Sequence, residues 1–173
     1  NEVTIDEMQK DVTRYIVEIS KQELTESQSI MVPAMISTIN NIERIGDRVI
    51  DISDLCKNKI EKNLDFTDNA VNELKEIEST IIDMFDNVII TLESKNENCI
   101  EKIAELEDKV DYLCNTFQEN HIKRLNDGIC NIDSGVIYID IISHLERIAD
   151  HIYKITMYTK DELFGGKREK DKE

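Results

Sequence analysis

An all-α fold is what this sequence predicts, and three observations carry the prediction. Its 173 residues include only five glycines and one proline, the two residue types that interrupt helices most strongly. Hydrophobic residues make up 40 % and charged residues 34 %, and the two kinds recur at helical spacing. Short polar breaks divide the chain into five such periodic segments.

The first segment, about 2–20, places Ile5, Met8, Val12, Tyr15, Ile16 and Ile19 on one helical face. Lys21–Ser27 is polar and reads as a loop. A long second helix follows over about 28–60, with Pro33 near its first turns, where a missing N–H costs least. Met31 and Met35 read as core residues near that helix start. Asn63–Asp68 is the next break, and Thr67 or Asp68 suits the N-cap of a third helix ending near Glu93. Lys95–Asn98 interrupts the pattern again. A fourth helix runs to about Leu125, where Asn126-Asp127-Gly128 stops it. The fifth covers about 133–160. The residues from 163 to 173, mostly glycine and charge, read as a charged disordered tail.

Charge and cysteine content narrow the function classes. A formal net charge of −16 argues against nucleic acid, whose phosphates need a positive footprint. It also argues against an anionic membrane surface and makes cations the natural small partners. Cys56, Cys99, Cys114 and Cys130 form no CxxC pair and read as reduced thiols of a cytosolic protein. No apolar run approaches the ~20 residues that span a bilayer, and no signal peptide is visible. The chain does not begin with Met, which fits a fragment of a longer protein.

One motif appears twice. NNIERIGDRVIDI begins at Asn40, and SHLERIADHIYKI begins at Ser143. Both hold E-R-I-small-D on the second arm of a helical hairpin. Glu43 and Asp47 are four apart and share a helical face, as do Glu146 and Asp150. The first arms carry matching pairs, Glu2 with Asp6 and Glu107 with Asp111. Like charges at this spacing cost a helix about 0.2–0.5 kcal/mol per pair, so local stability does not explain four of them. At about 100° per residue, each pair sits beside the apolar stripe, offset in the same rotational sense. Antiparallel neighbours with that offset can bring four carboxylates to one shared edge of each hairpin.

Converging carboxylates suit hard or borderline cations: magnesium, calcium, manganese, and iron or zinc when carboxylates bridge. The competing reading is an acidic surface neutralised by Arg44, Arg48, Arg147 and Lys154. The edge position predicts shallow, solvent-accessible sites. That weighs against a buried redox centre of the ferritin-like kind, which uses Glu-x-x-His, a spacing absent from this chain. His121, His144 and His151 read as ordinary, partly exposed histidines. No Ser-His-Asp arrangement, phosphate loop or nucleotide fingerprint is present.

ERIGD at Glu43–Asp47 and ERIADH at Glu146–His151 resemble the PhoU family. More narrowly, TIDEMQKDVTRYIVEIS, VPAMISTINNIERIGDR and ENHIKRLNDGIC resemble the PhoU-like C-terminal domain of bacterial sodium–phosphate cotransporters. The resemblance implies an antiparallel helical bundle, a tandem three-helix repeat whose first helix is missing here. The first repeat would cover 1–62 and the second 63–162. It implies a regulator of phosphate uptake rather than an enzyme, on the cytoplasmic side of the membrane, joined to a transporter in the same polypeptide. It also implies metal binding, by iron, zinc or magnesium, through Glu43, Asp47, Glu146 and Asp150, with Glu2, Asp6, Glu107 and Asp111 facing them. Asp51 would extend the first motif by a turn, where the second copy has Lys154. A carboxylate-metal enzyme and a purely structural helical scaffold are the competing functions. The missing helix would leave the stripe Ile5, Met8, Val12, Ile16 and Ile19 facing water, so a homodimer through the N-terminal hairpin is expected.

Overall fold

The computed structural model describes the backbone of residues 2–94 and 96–164, and their side chains except at 2, 27 and 161–164. Five helices follow in order: α1 (Glu2–Ile19), α2 (Glu26–Glu61), α3 (Asp68–Ser94), α4 (Asn98–Asn126) and α5 (Ile132–Phe164). No strand occurs among the described residues, and the five-helix expectation holds.

Local chemistry sets the helix ends. Gln28 N donates to Thr25 Oγ1 at 3.3 Å while Thr25 N donates to Gln28 Oε1 at 2.9 Å, a reciprocal capping box. This cap starts α2 two residues earlier than the periodicity indicates. Pro33 therefore lies inside the helix, not in its first turns, and it is exposed there. Thr67 caps α3 by accepting from Ala70 N at 3.2 Å. At the end of α4, Gly128 takes φ 68°, and Ile129 N closes onto Arg124 O at 2.9 Å. That left-handed stop is the one expected at Asn126-Asp127-Gly128. Helix α5 continues past Lys160 to Phe164, and residues 165–173 of the expected tail lie outside the described residues.

Helices α2 and α5 form the centre. α1 packs on α2, α4 packs on α5, and α3 covers α4 and α5. Aligning Glu43 with Glu146 pairs Ile45 with Ile148 and Gly46 with Ala149. Both isoleucines and Ala149 are core residues. The small residue of the motif has a steric reason. A Cβ on Gly46 would stand 2.9 Å from Ile5 Cδ1, so glycine lets α1 lie close to α2.

Two polar links join α2 to α5, and they occupy equivalent positions. His151 Nδ1 and Asn41 Oδ1 are 2.9 Å apart, while Arg48 Nη1 and His144 Nδ1 are 3.5 Å apart. In the repeat register Asn41 aligns with His144 and Arg48 with His151. His151 is thus buried, not partly exposed as expected. His121 is buried too, its ring 5.1 Å from that of Tyr138.

The second hairpin is closed by a buried charge cluster on α3. Arg124 donates to Glu73 from Nη1 at 2.9 Å and from Nη2 at 2.7 Å, and Asn120 Nδ2 adds a bond at 3.0 Å. The Tyr138 hydroxyl also donates to Glu73. Burial alone would raise the Glu73 pKa, but the bonds from Arg124, Tyr138 and Asn120 outweigh it and hold it below 4.5. Among the described residues nothing equivalent closes the first hairpin. Tyr138 is 1 % exposed, whereas its counterpart Met35 is 41 % exposed. Met31 and Met35 are surface residues here, contrary to the core reading, because no described helix covers that end of α1 and α2.

Glu73→Ala leaves Arg124 buried without its counter-charge. It should cost about 3–5 kcal/mol, read as a lower urea midpoint; a loss under about 1 kcal/mol would show that the pair does not hold α3. Gly135→Ala places a Cβ 2.5 Å from His121 Nε2. Despite better helix propensity it should destabilise by about 1–3 kcal/mol, and an unchanged melting midpoint would contradict this packing.

Candidate metal centre

The carboxylates reach one edge because the hairpin arms run antiparallel with a close-packed seam between them. Ile5 sits on Gly46, and Gln9 Nε2 donates to Asn40 Oδ1 at 3.0 Å. These contacts fix the register of α1 on α2 and carry Asp6 to the level of Glu43 and Asp47. Each of the three offers a carboxylate oxygen, and the three oxygens all lie within 4.8 Å of one another. They are half-buried, which fits a site at the core's edge. Glu2 begins α1, but its side chain lies outside those described.

This donor set fits a single hard cation. Oxygen ligands stand about 2.0–2.6 Å from magnesium or calcium, so ligands of one ion lie within about 5 Å of each other. The electrostatics agree. The Glu43 carboxyl is raised above its usual 4.5, first by burial and then by the charges of Asp47 and Asp6; Arg44 opposes these only in part. The surrounding guanidinium does not neutralise the cluster.

The second hairpin repeats the arrangement more loosely. Glu107 is raised above 4.5 by burial, then by Asp111, Asp108 and Asp150. Asp111 is raised above 3.8 by burial, Asp150 and Asp108. Glu146 is raised by burial, Asp111 and Asp150. The four therefore share one field. Among the described residues, however, they offer no set of three ligand atoms as tight as that of Asp6, Glu43 and Asp47. Lys154 Nζ lies 3.9 Å from Asp150 and supplies part of the neutralisation. Behind them Cys114 is buried, its thiol pushed up to about 12 by burial and then by Glu146 and Asp111.

Asp51 is placed elsewhere. Its Oδ2 accepts from Arg48 at 2.8 Å and lies 3.5 Å from His144 Nδ1. It thus belongs to the α2–α5 link, not to the carboxylate triad. The Glu73–Arg124–Tyr138 cluster went unread in the sequence. Its members lie far apart in the chain on three different helices, and no spacing rule connects them.

The comparisons with known proteins agree with this architecture. The PhoU domain model matches residues 1–56 and 74–159. The chain is 21 % identical over 151 residues to phosphate-specific transport system accessory protein PhoU homolog 1 of Thermotoga maritima, covering 84 % of this chain and 64 % of that protein. It is 22 % identical over 122 residues to a PhoU homolog of the same description from Streptococcus pneumoniae, covering 70 % and 55 %. The chain therefore spans less than two thirds of these relatives' length. The crystal structure of the phosphate transport system regulatory protein PhoU from Streptococcus pneumoniae superposes with a TM-score of 0.82 at 20 % identity, covering 95 % of this chain and 76 % of that one. PhoU from Pseudomonas aeruginosa gives 0.86 at 18 %, covering 95 % and 78 %. At these identities the superpositions establish the fold.

Two outcomes are expected of the isolated chain. Glu43, Glu107, Asp111 and Glu146 all have pKa values raised by folding, so their ionised forms oppose the fold. Without metal, protonating these four carboxyls should stabilise the fold as pH falls from neutral, while His121 and His151, whose pKa values folding lowers from 6.5, oppose it, and Glu73, also lowered by folding, opposes it below 4.5. Thermal melts of the parent and of Glu107→Gln with Glu146→Gln, from neutral pH to about 4.5, check it with the histidine contribution common to both: the variant's advantage should shrink on acidification, and a constant difference would contradict the shared field. Second, Glu43→Gln with Asp47→Asn should weaken manganese binding at the first hairpin by at least about tenfold and stabilise the metal-free chain by about 0.2–0.5 kcal/mol. Calorimetric titration of parent and double variant reads the first change; equal stoichiometry and affinity would sink the metal assignment.

Proposed function

This chain belongs to the PhoU family, and from that premise we propose that it is the cytosolic regulatory domain of a sodium-dependent phosphate transporter. It sits on the cytoplasmic side of the membrane, joined to the transporter in one polypeptide. It modulates phosphate uptake through changing contacts, without chemistry of its own. Metal ions held by Asp6, Glu43 and Asp47, and by Glu107, Asp111, Glu146 and Asp150, serve as structural or sensory elements. The isolated domain pairs with a second copy of itself.

The phosphate reading is supported by the relatives, which are phosphate-specific transport system accessory proteins by name. The single structural observation behind the metal reading is the oxygen triad of Asp6, Glu43 and Asp47, with pseudo-equivalent carboxylates in the second hairpin. A membrane-linked role requires the membrane part to lie elsewhere, since no helix among the described residues is long and apolar enough to cross a bilayer.

Phosphate uptake is the test. Cells that make the intact transporter should reduce uptake when phosphate is plentiful. Deleting this domain, or combining Glu43→Gln with Asp47→Asn, should remove that reduction. Uptake of labelled phosphate that responds identically with and without the domain would overturn the regulatory reading.

A further inference from the structure

A small cavity lies beside the Glu73 cluster, where the start of α3, the end of α4 and the start of α5 meet. His121, Arg124, Cys130, Ser134 and Tyr138 form part of its wall, and its free space of about 10 Å³ admits one atom the size of a water oxygen. His121 and Ser134 are each 3 % exposed and Arg124 is 9 % exposed. Each keeps a buried polar atom without a hydrogen-bond partner: His121 Nε2, Arg124 Nε and Ser134 Oγ. Buried polar atoms are nearly always partnered, so three around one small space point to a polar atom that belongs there. A solvent molecule would meet that need in any protein. What distinguishes this space is the sulfur in its wall.

Cys130 Sγ lies 4.0 Å from His121 Nδ1. Cys130 is half-buried, so a small solute reaches it, whereas Cys99 and Cys114 are buried and Cys56 is exposed. No second cysteine lines the cavity. The His121 ring is fixed in place. Its centroid stands 5.1 Å from that of Tyr138, and a Cβ added to Gly135 would stand 2.5 Å from its Nε2. Burial and then the charge of Arg124 push the His121 pKa below 6.5, and Glu73 opposes them only in part. The ring is therefore neutral at pH 7, and with its proton on Nε2 it accepts from the thiol at Nδ1.

We propose that Cys130 is a peroxide-sensitive thiol whose sulfenic acid is housed by this cavity. The thiol proton passes to His121 Nδ1 as the sulfur attacks the near oxygen of hydrogen peroxide. An S–O bond forms and the O–O bond breaks. The departing hydroxide takes the proton back from His121 and leaves as water. Sulfur is oxidised by two electrons and the peroxide is reduced by two, so one thiol and one peroxide give one sulfenic acid and one water. The new oxygen occupies the free space and accepts from Ser134 Oγ and Arg124 Nε. With no resolving thiol in the wall, it stays there rather than condensing to a disulfide. It also ties Cys130, just ahead of α5, to the arginine that holds Glu73 on α3. This reading does not depend on metal binding or on phosphate.

Mass spectrometry tests it on the full 173-residue chain. The reduced chain meets hydrogen peroxide for graded times, catalase removes the peroxide, and the chain is unfolded in dimedone, which caps sulfenic acids. The tryptic peptides Leu125–Arg147 and Val49–Lys57 each hold one cysteine and no methionine, so they report Cys130 and Cys56 separately. Cys130 should be capped at least about tenfold faster than the exposed Cys56. His121→Gln should slow Cys130 at least about tenfold, with Cys56 unchanged. Ser134→Ala removes a single oxygen atom, and should lower the capped fraction of Cys130 at least about twofold while circular dichroism stays that of the parent. Cys130 capped no faster than Cys56, or capped alike in the parent and in Ser134→Ala, would overturn the proposal and leave the cavity to solvent.

Discussion

The crossing of α2 and α5 is the constraint on which the rest of the fold depends. Each helix is the second arm of a hairpin, and each carries the repeated motif at the crossing. The isoleucine of the motif enters the core, as Ile45 and Ile148 do. Its small residue admits the first arm, as Gly46 admits Ile5. Its two acidic residues then have one direction left, the edge where the first arm brings a third acid. One short sequence thus sets the core contact, the spacing of the arms and the place of the carboxylates. The polar links Asn41–His151 and Arg48–His144 bridge the crossing, and the first of them is buried, so that either partner left alone there would cost about 1–3 kcal/mol.

The carboxylate edges are maintained against electrostatic cost. Burial and mutual repulsion both push Glu43, Glu107, Asp111 and Glu146 towards their protonated forms. The Glu73 cluster shows the opposite solution in the same molecule. There a carboxylate is surrounded by a guanidinium, a phenol and an amide, and its ionised form is favoured. An acid with that environment holds helices together. The acids at the hairpin edge have no such set of donors, and Asp6, Glu43 and Asp47 hold three oxygens within 4.8 Å of one another.

Much of this was legible in the sequence. Five helices, the stop at Gly128, the Thr67 cap and the convergence of Asp6 with Glu43 and Asp47 all follow from periodicity and spacing, which are local properties. What was not legible depends on contacts between distant segments. Glu73, Arg124 and Tyr138 lie on three helices and obey no shared pattern. His151 looks like any helical histidine until Asn41 is placed opposite it. Asp51 has the motif's spacing, yet Arg48 and His144 claim it. Met31 and Met35 have core-like chemistry, but whether a residue is covered depends on the presence of a covering helix. The stripe on α1 was only partly open as expected: Ile16 is buried and Ile5 half-buried against α2, while Met8, Val12 and Ile19 remain exposed.

The pairing of α2 with α5 also has a consequence in time. The whole of α3 and α4 separates the two helices in the chain, and α5 ends at Phe164, roughly a hundred residues after α2 ends at Glu61. At a synthesis rate of about 5–20 residues per second, α2 leaves the ribosome about 5–20 s before its partner exists. During that interval the α1–α2 hairpin is held together by little more than Ile16, the seat of Ile5 on Gly46 and the Gln9–Asn40 bond. The α3–α5 half, with its own core and its Glu73 lock, can form as soon as it emerges. The later half thus brings its own core together with the surface of α5 on which α2 packs.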